Sequence, residues 1–265
     1  MRLTIAMITM MSACSLVPAV TSPKARPPVL VVAHRGGAGV APENTLTAFR
    51  KAIRLRADYV EVDVGCSADG HLVVMHDRTV DRTTNGTGDI AKLTLAEIGK
   101  LAIRSDRFPD VHERVPTFEA VVRLCRARIG LYIDHKDAPV GEVMRVLDAL
   151  RFGRKAIVYG SPDRLAEYRR LMPAMAIMPG HPADLAAMDA LVSRLHPEAM
   201  DGHLLEWTRE QVDEAHRRGA TVWMDVMGDT DNEAGWQAAV DLGADALQTD
   251  YPDRLLSYLR RKKLR

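Results

Sequence analysis

The chain is short of aromatic residues, of cysteine and of net charge, and each shortage narrows what it can be. Phe, Trp and Tyr make up only 5% of its 265 residues. A core must therefore be packed from Leu, Val, Ile, Ala and Met, and a hydrophobic fraction of 47% supplies enough of them. Three cysteines cannot staple a chain of this length, which excludes a disulfide scaffold. Cys66 and Cys125 could pair, or could stay as two free thiols. A formal charge of +1 removes the electrostatic reason for a nucleic-acid partner, and none is expected. The basic run Arg260, Arg261, Lys262, Lys263 and Arg265 reads instead as a solvated helix end, where cations offset the helix dipole.

The N-terminal apolar run, residues 3–11, falls well short of the roughly 20 residues that cross a bilayer. It follows Arg2 and leads through small residues into a Pro-rich stretch ending at Pro28. That order is the order of an export signal. Cleavage after Ala19 is one outcome. Met11-Ser12-Ala13-Cys14 also resembles a bacterial lipoprotein signal, with Met11 where leucine is usual. The expectation is an exported protein, periplasmic or extracellular. Lipidation at Cys14 would add a lipid anchor and peripheral membrane association. Residues 1–28 are thus set apart as signal and linker, and residues 29–265 as the folded unit.

Within that unit, short β-branched runs alternate with longer amphipathic stretches. Strands are predicted at 29–33, 59–64, 131–135, 156–159, 175–178, 199–202, 221–226 and 246–249. Helices are predicted between most of them, at 45–55, 140–150, 165–171, 185–195, 210–218 and 233–242. Thr208-Arg209-Glu210-Gln211 has the form of a capping box, and Gly219 and Gly243 stand where helices end before strands. Strand and helix at this rhythm imply parallel strands with helical crossovers. The length suits a TIM-type (β/α)8 barrel, which takes roughly 250 residues. Residues 72–75 break the rhythm, because the turn at Ala68-Asp69-Gly70 is too short for a parallel crossover. They are read as the return arm of a hairpin, with Ser67 opposite His71 and His76 opposite Val62. Residues 78–116, rich in Thr, Gly and charge, fit no barrel element and are read as an insertion over the mouth. Its one short helix opens on a capping box at Thr94-Leu95-Ala96-Glu97.

Four segments carry chemistry. The first strand ends in His34-Arg35-Gly36-Gly37, which puts a proton carrier and a planar guanidinium at a sharp turn. Glu61 and Asp63, two apart on a strand, face the same side; two inward carboxylates repel unless a cation or a proton separates them. A hard divalent ion with oxygen ligands answers that need. His76, folded back by the hairpin, comes to lie beside this pair, and Asp77 can orient its ring. Asp134 and Lys136 share a face, offering a third carboxylate and an ammonium. His135 between them points outward and is read as structural. Among the remaining histidines only His203, at a strand end, invites attention.

Together these segments resemble the glycerophosphodiester phosphodiesterase family. The likeness runs from His34 to about Pro252 through His34-Arg35-Gly36, Ala41-Pro42-Glu43-Asn44-Thr45, Glu61-x-Asp63, His76-Asp77 and Thr249-Asp250-Tyr251-Pro252. It implies a TIM barrel, a divalent cation (Ca2+ or Mg2+), and hydrolysis of small glycerophosphodiesters to glycerol 3-phosphate and an alcohol. By the same resemblance His34 and His76 are general acid and base, their order left open. Glu61, Asp63 and Asp134 bind metal, Arg35 and Lys136 contact phosphate, and Trp223 walls the glycerol side. The nucleophile is water or a neighbouring glycerol hydroxyl. Two departures stand out. Asp134 replaces the usual glutamate, and Trp223-Met224-Asp225-Val226 stands where Trp-Thr-Val-Asn is common, so Asp225 adds an inward carboxylate. Two other readings stay open: a lysophospholipase D-like or other phosphodiesterase, and an inactive barrel that binds phosphate esters.

Overall fold

In the computed structural model, residues 27–152 and 155–265 are described. The expected export signal, with Ala19 and Cys14, lies outside them. The strands are β1 (Leu30–Ala33), β2 (Tyr59–Cys66), β3 (Leu72–Val74), β4 (Gly130–His135), β5 (Ala156–Tyr159), β6 (Ala176–Met178), β7 (Ala199–His203), β8 (Thr221–Asp225) and β9 (Ala246–Thr249). All except β3 run parallel, in the order β6-β5-β4-β2-β1-β9-β8-β7. No ladder joins β6 to β7. Instead the Glu198 N–H donates to the Ile177 carbonyl at 3.2 Å and the Asp201 N–H to the Pro179 carbonyl at 3.0 Å, which nearly closes the barrel.

The outer helices are α1 (Leu46–Leu55), α3 (Phe118–Cys125), α4 (Val140–Ala149), α5 (Pro162–Leu171), α6 (Leu185–Leu195), α7 (Arg209–Arg217), α8 (Glu233–Leu242) and α9 (Pro252–Arg261), with the short α2 (Leu95–Ile98) in the insertion. Alternation along each strand sorts the apolar side chains into two cores. Outward residues such as Val31, Val60, Val62, Ile133, Val158 and Leu247 pack under the helices. Inward residues Val32, Tyr132, Ile157, Met178, Ala199, Trp223 and Ala246 form a plug inside the barrel. That plug is a floor, so everything inward and further along the strands stands above it at their C-terminal ends, where barrel active sites are built. Trp223 is part of the floor. It is only 4% exposed, its ring lies edge-on to Tyr59 at 4.9 Å, and its indole N–H donates back to Thr221 at 3.1 Å. The structure thus sets it lower than a side wall around glycerol.

The hairpin has the register read from the sequence. β3 pairs antiparallel with β2 through Val64 and Val74, and the Met75 N–H donates to the Asp63 carbonyl at 3.1 Å, which sets His76 opposite Val62. Beyond it the insertion holds itself with isolated bridges between Thr79 and Asp89, Thr84 and Ile103, and Ala102 and Arg114. A small core of Val73, Met75, Val80, Ile90, Ile98 and Val115 lies beneath it, and the Thr94–Glu97 capping box is formed. Cys66 and Cys125 are free.

Candidate active site

The chain turns abruptly at the end of β1. Arg35, Gly36 and Gly37 all take positive φ, at 49°, 84° and 98°. At Gly36 a Cβ would lie 2.7 Å from the Ala48 Cβ, so glycine alone lets α1 pack against the turn. The turn aims His34 over the barrel, where its Nδ1–H donates to Asp250 Oδ1 at 2.7 Å from just beyond β9. His76 repeats the device from the hairpin, its Nδ1–H donating to Asp77 Oδ1 at 2.7 Å. Each ring therefore keeps Nε2 for chemistry.

Asp77 is itself held. Arg82 donates from Nε to its Oδ2 at 2.6 Å, and that contact keeps the Asp77 carboxyl well below the usual carboxylate range. The same guanidinium donates twice to Glu43, at 2.8 Å each, and Glu43 also accepts from Arg35 Nη1 at 2.9 Å. Burial pushes the Glu43 carboxyl up, but the two arginines outweigh it and hold it low.

Glu61, Asp63 and Asp134 converge above the floor with ligand atoms within 4.8 Å of one another. Glu61 accepts the Arg35 backbone N–H at 2.7 Å, and Asp63 accepts from Asn44 Nδ2 at 2.7 Å. Burial, with Asp63 and Asp134 adding to it, pushes Glu61 well above the ordinary carboxylate value. Asp134 is raised by burial too, although Lys136 pulls against it. The Lys136 ammonium hydrogen-bonds Asp134 and sits 3.0 Å from Asp63 Oδ1, off the line of a hydrogen bond. Its own value is pushed up to about 12, the two carboxylates overcoming the penalty of burial. An ammonium drawn between two members of the trio, and a buried Asp63 oxygen without a donor, show a site built for positive charge. The residues fit a hard divalent cation with oxygen ligands. Arg35 Nε lies 3.6 Å from Asp63 Oδ2 and has no hydrogen-bond acceptor of its own.

The structure brings His34, Arg35, Glu61, Asp63, His76, Asp134 and Lys136 together and leaves Trp223 beneath them. His135 points outward, as alternation requires. Its Nε2–H donates to the Ala138 carbonyl at 2.5 Å and its Nδ1 accepts from Tyr168 at 2.8 Å. His203 caps a short turn, its Nδ1 accepting the Leu205 N–H at 3.3 Å. Glu43, Asn44, Arg82 and Asp250 enter the site as supports to which sequence reading gave no role. Their signal was present for three of them in the shared motifs, but not for Arg82.

Residues 34–254 match the glycerophosphoryl diester phosphodiesterase family. The chain belongs to that family. Bacillus subtilis YhdW is 33% identical over 236 residues, 85% of this chain and 96% of its own length. A glycerophosphodiester phosphodiesterase of Caldanaerobacter subterraneus is 30% identical over 243 residues, covering 88% of this chain and 98% of its own. The crystal structure of an Agrobacterium tumefaciens glycerophosphodiester phosphodiesterase superposes with a TM-score of 0.76 at 29% identity, covering 86% of this chain and 99% of that one. An Oleispira antarctica phosphodiesterase, solved in complex with the product sn-glycerol-3-phosphate, gives 0.78 at 25% identity over 88% and 97% of the two chains. The protein is accordingly an enzyme of the phosphoric diester hydrolase class on a TIM barrel.

Proposed function

We propose that the protein hydrolyses soluble glycerophosphodiesters to glycerol 3-phosphate and an alcohol, using His34 and His76 as a proton-transfer pair. One observation carries the reading: two imidazoles, each fixed at Nδ1 by a carboxylate 2.7 Å away, stand over a carboxylate trio of which Glu61 and Asp63 are buried and Asp134 is half-buried. The product held by the Oleispira protein supports the choice of substrate.

Glu61, Asp63 and Asp134 would hold a divalent cation, Ca2+ or Mg2+, which draws charge from the phosphoryl oxygens when bound. The chain supplies the rest. Lys136 and Arg35 bring fixed positive charge to the developing phosphorane oxygens. One histidine takes the proton of the attacking water at Nε2; the other gives its Nε2 proton to the leaving alkoxide. Asp250 and Asp77 keep both rings in the tautomer that makes this exchange possible and stabilise each ring while it is protonated. Two cavities flank the mouth, of about 350 Å³ beside His76 and Lys136 and about 220 Å³ beside Glu43 and Arg82. Charged side chains line both, including Arg78, Asp137, Arg104 and Asp106, which suits a hydrophilic headgroup better than an acyl chain.

Release of glycerol 3-phosphate from glycerophosphocholine tests this directly. Activity should appear with Ca2+ or Mg2+ and vanish in EDTA. His34→Ala and His76→Ala should each lower kcat by about 10²–10⁴-fold. Turnover that ignores EDTA, or either variant at full rate, rejects the mechanism.

A further inference from the structure

β7 and β8 carry two more carboxylates into the barrel, on the wall away from the trio. Asp201 is 4% exposed, and Asp225 stands level with Gln248 on β9 and His203 on β7. The Gln248 Nε2 donates to Asp225 Oδ1 at 2.5 Å, which fixes the amide and leaves its Oε1, 95% of the residue being buried, without a donor. Asp201 Oδ1 is likewise buried without a donor. Both of these orphaned atoms are acceptors, and buried acceptors demand partners. A second metal ion is a poor answer. Among the described residues the sole metal-ligating group of three is Glu61, Asp63 and Asp134, and no third such side chain joins Asp201 and Asp225.

We propose that Asp201, Asp225 and Gln248 form a subsite for a primary ammonium carried by the alcohol half of the substrate. The inference rests on the phosphodiesterase reading above and narrows its substrate. A primary ammonium brings one positive charge for the two carboxylates and three N–H donors for three oxygens. A quaternary ammonium has no N–H and leaves the acceptors unmet; a neutral diol brings hydrogen bonds but no charge. The rings of Tyr132 and Tyr159, 5.9 Å apart, line the barrel interior from β4 and β5, across from β8. Gln248 stands two residues before Asp250, which holds His34, so an ammonium bound here lies on the His34 side of the site.

The test compares kcat/KM for the ethanolamine, choline and glycerol esters of glycerol 3-phosphate, with the divalent cation at saturation. The ethanolamine ester should be favoured by about tenfold or more, the discrimination of a charge-assisted hydrogen bond. Asp225→Asn and Asp201→Asn should each collapse that ratio toward unity, and a ratio cancels losses common to all three substrates. Equal use of the three esters by the natural chain, or an unchanged ratio in both variants, overturns the subsite. If no ester is cleaved, the phosphodiesterase reading fails, yet the subsite is still decided by calorimetry with ethanolamine. Binding that Asp225→Asn removes supports it; no binding, or binding no stronger than that of 1-propanol, ends it.

Discussion

Asn44 sits at φ 56° with its N–H on the Arg35 carbonyl at 2.9 Å, and from that strained turn its amide reaches Asp63. Asn44→Ala removes the hydrogen-bond donor on that oxygen while leaving all three carboxylates in place. Loss of such an outer partner costs about 10–100-fold in cation affinity or activity, so half-saturation in Ca2+ or Mg2+ should rise accordingly. An unchanged cation titration would show that Asp63 needs no such support. A second residue-scale prediction concerns His135, which burial pushes down from 6.5 to about 4. Above pH 6.5 the ring is neutral in both folded and unfolded chains, and its contribution to stability is complete. Below that, the unfolded chain binds the proton first, and on the order of 3 kcal/mol is lost progressively down to about pH 4. Buried acids such as Glu61 titrate with the opposite sign, so the measurement is a difference: thermal unfolding of the natural chain minus His135→Gln, from pH 7 to 4. The difference should shrink as pH falls; a constant difference refutes the shift. The roles of individual residues were legible where neighbours in sequence act together, as in His76 with Asp77. They were hidden where partners meet only in the fold, as His34 meets Asp250 across 216 positions.

Elements were read more fully than residues, because alternation and helical period record which face is buried. The eight barrel strands and the β2–β3 hairpin stand within a few residues of their expected places, and the hairpin register was fixed by its turn. α3 went unread although Phe118, Val121, Val122 and Cys125 mark its buried face at helical spacing. The helix is only eight residues long, and its Thr117 cap follows directly on the Thr- and charge-rich insertion. Trp223 was placed by analogy with a motif, and alternation alone could not say how high on β8 it stands. The turn after β1 yields a prediction at this scale. Gly36→Ala must place a methyl 2.7 Å from Ala48 at φ 84°. Strain and overpacking together should cost on the order of 2–4 kcal/mol. Because the turn aims His34 and Arg35, kcat should fall further than the folded fraction does. Normal kcat in the folded fraction would separate the turn from the site.

At the scale of the whole molecule, a chain of nearly neutral charge concentrates Glu61, Asp63, Asp134, Asp201 and Asp225 inside one barrel. Lys136 meets two of these acids. Like charges brought together in a dry interior oppose folding, so the cation-free protein must give up stability for its site. A ligand that binds only the folded chain returns about 2.7 kcal/mol at a hundred times its dissociation constant. For a domain of this size that raises Tm by roughly 5–10 °C. Differential scanning with Ca2+, Mg2+ and EDTA should show this rise. Glu61→Gln keeps an oxygen for the Arg35 N–H while deleting one buried charge. It should therefore melt higher than the natural chain in EDTA, lose most of the cation-induced rise, and lose activity with it. A variant that melts lower in EDTA and still gains the full rise would mean that Glu61 belongs to the scaffold and that the cation binds elsewhere.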